Sequence, residues 1–343
     1  MLVDDSIVAR AVLSRMIESD GGFAIVGVAA SGEDAIVALD HVHVDIVLLD
    51  LEMPGAGGLK LLPAILRAAR GARVMIVSSA AEEGAEETIA ALALGAADTL
   101  PKPGTGRFNG RFSEVLAVRL KALGHADASR ELVRQPSREP ADGPPLRTMS
   151  NAPIKLLALG ASTGGIHALG AFFQNLPAAI GAPILVTQHL PPPFMAVFAR
   201  QLGVTAGRPA VVAEDGMLLV ADHLYIAPGD AHLTVEGTAA GMVARLPHHP
   251  VASGCMPSVD PMFASAGVLL GRHALGVVLT GMGRDGCDGA AKLVACGGAV
   301  LAQDQHSCAV WGMPRAIAEA GLAAAILSPD LLARRVAARC TDY

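Results

Sequence analysis

A serine flanked by glycines follows a predicted strand and precedes a predicted helix. The apolar run Ile154–Leu159 leads into Gly160-Ala161-Ser162-Thr163-Gly164-Gly165, after which a helical pattern begins. Small residues at positions 160 and 164 permit a sharp turn that exposes the Ser162 hydroxyl. The helix behind the turn directs backbone N–H groups towards the site, which suits an oxyanion. The pattern is typical of a nucleophile elbow, although the same serine could instead cap the helix.

Phosphate binding is the main alternative for a glycine-rich turn before a helix. This turn has neither the P-loop lysine nor the spacing Gly-x-Gly-x-x-Gly. No Asp or Glu occurs between Gly160 and Ala213, whereas a dinucleotide site uses an acidic residue about 20 positions after its turn. These absences disfavour a nicotinamide cofactor.

A nucleophilic serine requires a base, which is itself oriented by an acid. The candidate bases are the histidines of the second half, namely His167, His189, His223, His232, His248, His249, His273 and His306. We favour His189, because it ends the apolar run Ile184–Gln188. It is therefore expected at the same sheet edge as Ser162.

Asp285 is the favoured acid, because it ends the glycine-containing segment Val277–Arg284. Weaker candidates near other predicted strand ends are Asp215, Asp230 and Asp304. The thiol of Cys287 is a weaker nucleophile candidate than Ser162, because no elbow surrounds it.

Polar side chains also follow predicted strands in the first half, at Asp4 and Asp5, Asp50, Ser78 and Lys102. In a parallel sheet these strand ends meet at one edge. Clustered carboxylates repel one another unless a cation joins them, and their hard oxygen atoms suit Mg²⁺. A carboxylate beside a metal and a lysine can accept a phosphoryl group, because both cations neutralise the developing charge.

Each member of this cluster also has a plainer interpretation. Asp5 and Ser6 could cap the first helix, and Lys102 could be a solvated surface lysine. The joint pattern, rather than any single residue, favours the site.

The elements that must position these residues alternate between strand and helix. Apolar runs predict strands at Ala24–Ala29, Val44–Leu49, Arg73–Val77, Ala97–Leu100, Ile154–Leu159, Pro183–Thr187, Leu224–Ala227, Leu275–Thr280 and Ala299–Ala302. Helical patterns occur at Ile7–Ile17, Glu33–Leu39, Leu59–Ala69, Glu83–Leu94, Arg111–Leu123, Gly165–Asn175, Pro193–Leu202, Pro261–Leu270, Gly289–Ala295 and Pro314–Ala320. The alternation predicts an α/β protein with parallel sheets and right-handed crossovers.

A polar segment separates the two halves. From His125 to about Ala152 the chain carries four prolines and mixed charges but no aromatic residue, which predicts a linker. Its first part, Ala126–Gln135, could continue the preceding helix. The expected domains are therefore residues 1–120 and 153–343, joined by a linker over 121–152.

Composition excludes several classes of protein. The 343 residues suggest two domains, and hydrophobic residues make up 52% against 3% aromatics, so the core is aliphatic. A net charge of −6 argues against a nucleic-acid-binding protein.

No apolar run approaches the roughly 18 residues of a membrane span, and Asp4 and Asp5 interrupt any signal peptide. We expect a cytoplasmic protein that is not inserted in a membrane. Its five cysteines form no zinc spacing, so we expect reduced thiols and no structural zinc.

The first half resembles the receiver domain of two-component response regulators. The resemblance rests on Asp4-Asp5-Ser6, Asp50-x-Glu52-Met53-Pro54, Val77-Ser78-Ser79 and Lys102-Pro103. It implies a flavodoxin-like fold with a five-stranded parallel sheet. It further implies phosphorylation of Asp50 and Mg²⁺ held by Asp4, Asp5 and Asp50. Ser78 is then the switch hydroxyl, Lys102 the phosphate partner, and the Lys102–Pro103 bond cis.

Two features depart from the receiver pattern. Only three residues precede the acidic pair, which predicts a stunted first strand or a misassigned start. Glycine stands at Gly57, where the family usually has an acidic residue. If that residue caps a helix, glycine costs only a few tenths of a kcal/mol.

The second half resembles the catalytic domain of chemotaxis protein-glutamate methylesterases. The matching segments are Gly160–Gly165, Gln188-His189-Leu190-Pro191, Tyr225–His232, Pro257-Ser258-Val259-Asp260 and Leu279–Gly286. The resemblance implies a doubly wound α/β domain with Ser162 as nucleophile, His189 as general base and Asp285 as the residue that orients His189. Backbone N–H groups near Thr163 and Met282 are expected to hold the oxyanion. Phe194-Met195 replaces the common Phe-Thr, outside the inferred triad.

The implied function is a phosphorylation-controlled methylesterase that removes methyl groups from glutamate esters of chemoreceptors and deamidates receptor glutamines. A chemotaxis histidine kinase is the expected phosphodonor, and no cofactor is expected in the esterase domain. The receiver is expected to cover the esterase site until Asp50 is phosphorylated. Two alternatives remain: a transcription regulator, for which no basic or helix-turn-helix segment follows the linker, and an adaptor that binds receptors or kinase without hydrolysis.

Overall fold

The computed structural model describes residues 1–78, 82–102, 110–134 and 146–340. The chain divides between residues 137 and 138 into two compact units, each built on its own parallel sheet. Within the described residues, no helix combines the length and hydropathy that a bilayer span requires.

The first unit alternates five strands with five helices along the described chain. They are β1 (Leu2–Val3), α1 (Ile7–Ser19), β2 (Val28–Ala29), α2 (Gly32–His41), β3 (Ile46–Leu49), α3 (Gly58–Ala68), β4 (Arg73–Ser78), α4 (Glu82–Leu94), β5 (Asp98–Pro101) and α5 (Gly110–Arg134). The strands are parallel in the order β2-β1-β3-β4-β5, which confirms the predicted five-stranded sheet. Helix α5 continues to Arg134, as the pattern after Ala126 allows.

The stunted first strand still anchors the acidic residues that follow it. β1 has two residues and pairs with both β2 and β3. Beyond the ladder, the Asp4 N–H donates to the Ala29 carbonyl at 3.3 Å and the Asp50 N–H donates to the Val3 carbonyl at 2.9 Å. β2 is shorter than the predicted Ala24–Ala29, because β1 offers only two residues for it to pair with.

Two caps follow from local sequence. The Ser6 hydroxyl accepts a hydrogen bond from the Ala9 N–H at 3.2 Å and caps α1, whereas Asp5 is exposed. At the start of α3, Gly57 has φ +76° and forms no side-chain cap. The adjacent Gly58 packs so closely that a Cβ there would overlap the carbonyl oxygen of Asp50.

The second unit contains nine further strands and six further α-helices in the described residues. They are β6 (Leu156–Ala161), α6 (Gly165–Asn175), β7 (Ile184–Gln188), α7 (Pro192–Ala206), β8 (Ala210–Val212), β9 (Leu224–Ile226), β10 (Thr234–Thr238), β11 (Gly241–Arg245), α8 (Val259–Leu270), β12 (Ala274–Val278), α9 (Cys287–Ala295), β13 (Ala299–Gln303), α10 (Met313–Glu319), β14 (Ala323–Leu327) and α11 (Pro329–Ala337). Seven strands form a parallel sheet in the order β14-β13-β12-β6-β7-β9-β8, as the doubly wound expectation requires. β10 and β11 form a separate antiparallel hairpin.

The inner strands of this sheet are buried along their whole length. Every residue of β6, β7, β12 and β13 is buried, and these strands are almost entirely aliphatic. Such continuous apolar runs are typical of parallel strands covered by helices on both faces. Polar chemistry is thereby confined to the ends of the strands and the loops beyond them.

Candidate active site and acidic cluster

Ser162 stands in the turn between β6 and α6 and is fixed by backbone hydrogen bonds. Its N–H donates to the Thr280 carbonyl at 3.0 Å, and its carbonyl accepts from the Gln188 side-chain amide at 2.9 Å. The N-cap of α6 is Gly164, in the left-handed conformation with φ +76°, and no side chain caps this helix. The interpretation of Ser162 as a helix cap is therefore wrong, and its hydroxyl is available for chemistry.

Glycines let the backbone close tightly around Ser162. A Cβ at Gly281 would lie 2.8 Å from the Ser162 Cβ, and a Cβ at Gly164 would overlap Ala309. Gly281 opens the segment Gly281-Met282-Gly283-Arg284-Asp285-Gly286, which has the spacing Gly-x-Gly-x-x-Gly between β12 and α9. Here the glycines allow the backbone to approach Ser162, and the segment carries Asp285.

His189 follows β7 directly, on the strand next to β6. Ala161 and Gln188 are register partners, and the His189 N–H donates to the Ala161 carbonyl at 3.1 Å. The ring nitrogen Nε2 lies 2.9 Å from an Asp285 carboxylate oxygen, which leaves Nδ1 for other partners. Among the described residues the Ser162 hydroxyl forms no hydrogen bond to this ring. Such catalytic bonds often tighten only when substrate binds.

Asp285 is 2% exposed and accepts four hydrogen bonds. One oxygen accepts from the Ser253 and Ser258 hydroxyls at 2.8 and 2.5 Å, and the other from His189 Nε2 and the Val259 N–H at 2.9 and 2.8 Å. Burial alone would raise the pKa of Asp285, but the bonds and charge of His189, with Ser258 and Val259, hold it well below its usual range. Asp285 is therefore ionised and orients the His189 ring.

Sequence reasoning assigned no role to the residues that hold Asp285. Ser258 is fully buried, and its N–H donates to Nδ1 of the fully buried His232 at 3.0 Å. His232 Nε2 in turn lies 2.8 Å from the His249 carbonyl oxygen, which sets its tautomer. The sequence signal that could have indicated Ser258 was the segment Pro257-Ser258-Val259-Asp260. It is part of the resemblance to the methylesterase family, but no chemical role was assigned to it.

The weaker candidate acids contact other groups. Asp304 accepts from the Ser307 N–H and hydroxyl at 3.0 Å, and Asp215 accepts from the Leu246 N–H at 2.9 Å. Asp230 is exposed, in the loop after β9. The Cys287 thiol is buried with its sulfur 3.6 Å from the Ala316 carbonyl oxygen, and burial raises its pKa, which disfavours the thiolate.

The expected oxyanion donors flank the same turn. Thr163 follows Ser162, and its carbonyl accepts from the Thr280 hydroxyl at 2.9 Å. Met282 follows Gly281, which packs against Ser162. Both residues are thus brought to the nucleophile by the ends of β6 and the segment after β12.

The first unit brings together the predicted acidic cluster. One carboxylate oxygen from each of Asp4, Asp5 and Asp50 lies within 4.8 Å of the others. Lys102 Nζ lies 2.8 Å from an Asp4 oxygen and 2.7 Å from an Asp50 oxygen, so it is not a solvated surface lysine. Ser78 is buried at the end of β4, and its carbonyl accepts from the Lys102 N–H at 2.7 Å.

Lys102 offsets part of the negative charge at this cluster. Burial raises the pKa of Asp50, although the ammonium of Lys102 opposes this rise. Burial would lower the pKa of Lys102, but its bonds with Asp4 and Asp50 outweigh burial and raise it. The predicted cis bond between Lys102 and Pro103 lies outside the described residues.

The donor set of this cluster fits a hard divalent cation. Three carboxylates from two neighbouring strand ends converge, and every ligand atom is oxygen, the preference of Mg²⁺. Asp4 and Asp50 are both nearly buried, so their negative charge is little screened by water.

Comparison with known proteins identifies both units. Residues 157–336 match the family described as CheB methylesterase, and residues 1–107 match the response regulator receiver domain. The catalytic domain of the Thermotoga maritima CheB methylesterase is similar to the second unit, with 35% sequence identity and a TM-score of 0.52. That likeness covers 54% of this chain and 97% of the solved domain.

Curated relatives match nearly the whole chain. The protein-glutamate methylesterase/protein-glutamine glutaminase 2 of Caulobacter vibrioides is 41% identical over 99% of this chain and 98% of its own length. The protein-glutamate methylesterase/protein-glutamine glutaminase 1 of Paramagnetospirillum magneticum is 37% identical over 95% of this chain and 92% of its own length. The chain therefore belongs to the protein-glutamate methylesterase/protein-glutamine glutaminase family, in which it joins a response regulator receiver to a methylesterase domain.

Proposed function

We propose that the second unit hydrolyses glutamate methyl esters of methyl-accepting chemotaxis receptors and deamidates specific receptor glutamines. The observation that carries this proposal is the junction of Ser162, His189 and Asp285 at one edge of the seven-stranded sheet, with His189 bonded to Asp285 at 2.9 Å. The relatives' names supply the substrate class.

The geometry supports a two-step acyl transfer. Asp285 holds the proton of the His189 ring on Nε2, so Nδ1 accepts the Ser162 proton as the hydroxyl oxygen attacks the ester carbonyl. Backbone N–H groups of Thr163 and Met282 stabilise the oxyanion that forms. The ring returns the proton to the leaving methoxide, and methanol departs. Water then attacks the acyl-enzyme and restores glutamate, and a glutamine amide releases ammonia by the same steps.

The first unit is proposed to receive a phosphoryl group on Asp50 from a chemotaxis histidine kinase. Asp4, Asp5 and Asp50 would hold Mg²⁺, which supplies positive charge beside the transferred phosphoryl oxygens. Lys102 already contacts the Asp50 carboxylate and supplies a second positive charge. Ser78 is the proposed switch hydroxyl.

Regulation follows from joining the two units. We assign the receiver to residues 1–120, the linker to 121–152 and the esterase to 153–343. The receiver is proposed to restrain the esterase until Asp50 is phosphorylated, in the cytoplasm where receptor tails and kinase meet.

Methanol release from methylated receptor membranes tests the enzyme directly. The full-length protein is compared with Ser162→Ala and Asp50→Asn, each with and without a small-molecule phosphodonor. Release should require Ser162, and the phosphodonor should stimulate the wild type but not Asp50→Asn.

The adaptor alternative gives the opposite result. An adaptor would bind receptors with no methanol release, and a fluorophosphonate probe would not label it. Labelling that depends on both Ser162 and His189 supports the enzyme.

A further inference from the structure

Cys255 lies beside the candidate triad and has no part in the proposed reaction. One ring nitrogen of His189, the Cys255 sulfur and one Asp285 carboxylate oxygen all lie within 4.8 Å of one another. The His189 and Cys255 side chains are partly exposed, whereas Asp285 is buried. A nitrogen, a sulfur and an oxygen ligand atom thus converge at a point that solvent reaches.

The loop that carries Cys255 is fixed by the same carboxylate. The Ser253 hydroxyl donates to Asp285 at 2.8 Å and accepts from the Cys255 N–H at 3.4 Å. Gly254 between them has φ +69° and completes a turn, since its N–H donates to the Val251 carbonyl at 3.0 Å. Cys255 therefore stands at a defined place relative to Asp285 rather than on a free loop.

We propose that His189, Cys255 and Asp285 form a binding site for a soft divalent cation of the Zn²⁺ class, and that its occupancy switches the esterase off. The part concerning inhibition rests on the proposed function, whereas binding itself does not.

The ligand chemistry favours this class of cation. Imidazole, thiolate and carboxylate are the ligands of Zn²⁺, and bonds of about 2.0–2.3 Å place tetrahedral ligand atoms roughly 3.3–3.8 Å apart. The separation of 2.9 Å between His189 Nε2 and Asp285 would have to open by about 0.4 Å, and the Cys255 sulfur, which lies within 4.8 Å of both ligand atoms, would have to move in by at most about 1 Å to reach the upper end of this spacing. Solvent can supply the fourth ligand on the exposed side.

Neighbouring groups donate hydrogen bonds to the Asp285 carboxylate, as the residues around zinc ligands commonly do. Ligating carboxylates are commonly held by further hydrogen bonds. Asp285 has three such donors besides His189, namely the hydroxyls of Ser253 and Ser258 and the N–H of Val259. The carboxylate is therefore already oriented before a cation arrives.

Binding would disable the base. The cation takes the lone pair of the ring nitrogen that faces Asp285, and the ring proton moves from Nε2 to Nδ1. Nδ1 can then no longer accept the Ser162 proton. The Cys255 thiol releases its own proton to solvent as the sulfur–metal bond forms. No oxidation or reduction occurs, so removal of the cation restores activity.

Binding is tested with Co²⁺ on the full-length protein, in excess Mg²⁺ so that the acidic cluster of the first unit is occupied. A thiolate bound to Co²⁺ gives a near-ultraviolet charge-transfer band, and Zn²⁺ should displace it. Wild type and Ser162→Ala should both show the band, and Cys255→Ser should lose it. Cys296→Ser is the matched control, because Cys296 is an exposed thiol outside the cluster.

Inhibition is measured in parallel as methanol release against Zn²⁺ concentration. Cys255→Ser should keep basal activity but require a Zn²⁺ concentration higher by more than the roughly 10–100-fold that loss of an outer contact costs. Its circular dichroism spectrum should match the wild type.

Several outcomes would overturn the proposal. They are a band that persists in Cys255→Ser, a band lost in Cys296→Ser, no band in any protein, or equal Zn²⁺ sensitivity of wild type and Cys255→Ser. If Ser162→Ala shows the band, Cys255→Ser lacks it and no protein releases methanol, the metal site stands. The proposed esterase function would then be wrong.

Discussion

At the scale of single residues, the acid of the candidate triad makes more side-chain hydrogen bonds than either of its partners. Asp285 accepts four hydrogen bonds, and none of its donors comes from its own segment, Gly281–Gly286. All four donors face the carboxylate as N–H or O–H groups. The site therefore requires two acceptor atoms at the end of this side chain. A carboxylate provides two acceptor oxygens, whereas an amide provides one oxygen and one NH₂ donor.

Asp285→Asn should abolish most hydrolysis while leaving the fold in place. The amide NH₂ would face donors on whichever side it lies, and the His189 ring would adopt the tautomer that cannot accept a proton from Ser162. We expect methanol release to fall by about 10³–10⁴-fold. The matched control is Asp304→Asn, because the Asp304 carboxylate accepts its hydrogen bonds from nearby Ser307, and this variant should leave the rate within about twofold. Equal losses in both variants would contradict the assignment of Asp285.

The same carboxylate should make folding stability depend on acid pH. The folded-state pKa of Asp285 lies below the value of about 3.9 for an unfolded Asp, so its ionised form stabilises the fold. That contribution is present above about pH 4 and is lost as the pH falls towards the folded-state pKa. The gap in unfolding free energy between wild type and Asp285→Asn should be about 3 kcal/mol near neutral pH and shrink below pH 4. Urea denaturation across this range measures it, and a constant gap would refute the pairing.

Sequence reasoning selected the residues of the candidate triad but not the residues that hold Asp285. Ser162 and His189 could be predicted because both end apolar strands of one parallel sheet. Ser258 and Ser253 could not, because they lie in a loop 27 and 32 residues from the carboxylate they hold. Contacts between loops distant in sequence follow no periodic pattern.

At the scale of elements, the turn before α6 requires glycine at position 164 for two reasons. Its φ of +76° is unfavourable for other residues, and a Cβ there would overlap Ala309 and lie 3.2 Å from the Thr280 methyl. Ser162 lies two residues earlier in the same turn. Any shift that relieves the overlap would move the nucleophile.

Gly164→Ala should therefore cost more than a comparable substitution in open space. We expect a loss of about 2–4 kcal/mol in unfolding free energy and a lower rate of methanol release. Gly207→Ala is the control: its φ is +62°, it ends α7, and no atom lies within 4 Å of a Cβ there. That variant should lose only about 1 kcal/mol and retain activity. Similar thermal unfolding and activity of the two variants would contradict crowding at the elbow.

The strands that sequence reasoning missed share a physical cause. β14 begins with three alanines, which favour a helix when considered locally, and becomes a strand because β13 pairs with it. β8 has three residues, and the β10–β11 hairpin lies outside the main sheet. The long apolar strands were predictable, whereas elements stabilised mainly by tertiary pairing were not.

At the scale of the whole molecule, each unit carries its own cluster of candidate metal ligands. The first offers three carboxylates and the second a nitrogen, a sulfur and an oxygen. Hard and soft cations should therefore distinguish the two units.

Omission of Mg²⁺ should separate the two activities. In a buffer free of other divalent cations, phosphodonor stimulation should disappear, because the three carboxylates then lack the cation that balances their charge. Basal, Ser162-dependent methanol release should remain within about twofold, since no step at Ser162 uses this cluster. Asp5→Asn in the presence of Mg²⁺ should weaken the stimulation in the same way. Loss of basal release without Mg²⁺ would place the cation in the esterase reaction.

Ser162 and His189 are positioned by the pairing of two strands, whereas Asp285 is positioned largely by side-chain hydrogen bonds. The separation of nucleophile and base is set mainly by two hydrogen-bonded strands about 4.8 Å apart, and substitutions that leave the turn after β6 intact do not alter this spacing. The position of Asp285 depends instead on hydroxyl groups that one mutation can remove. If accumulated substitutions preserved only the folded core, Ser162 would still lie close to His189. The first function to be lost would be the proton transfer from Ser162 to His189, because Asp285 orients that ring.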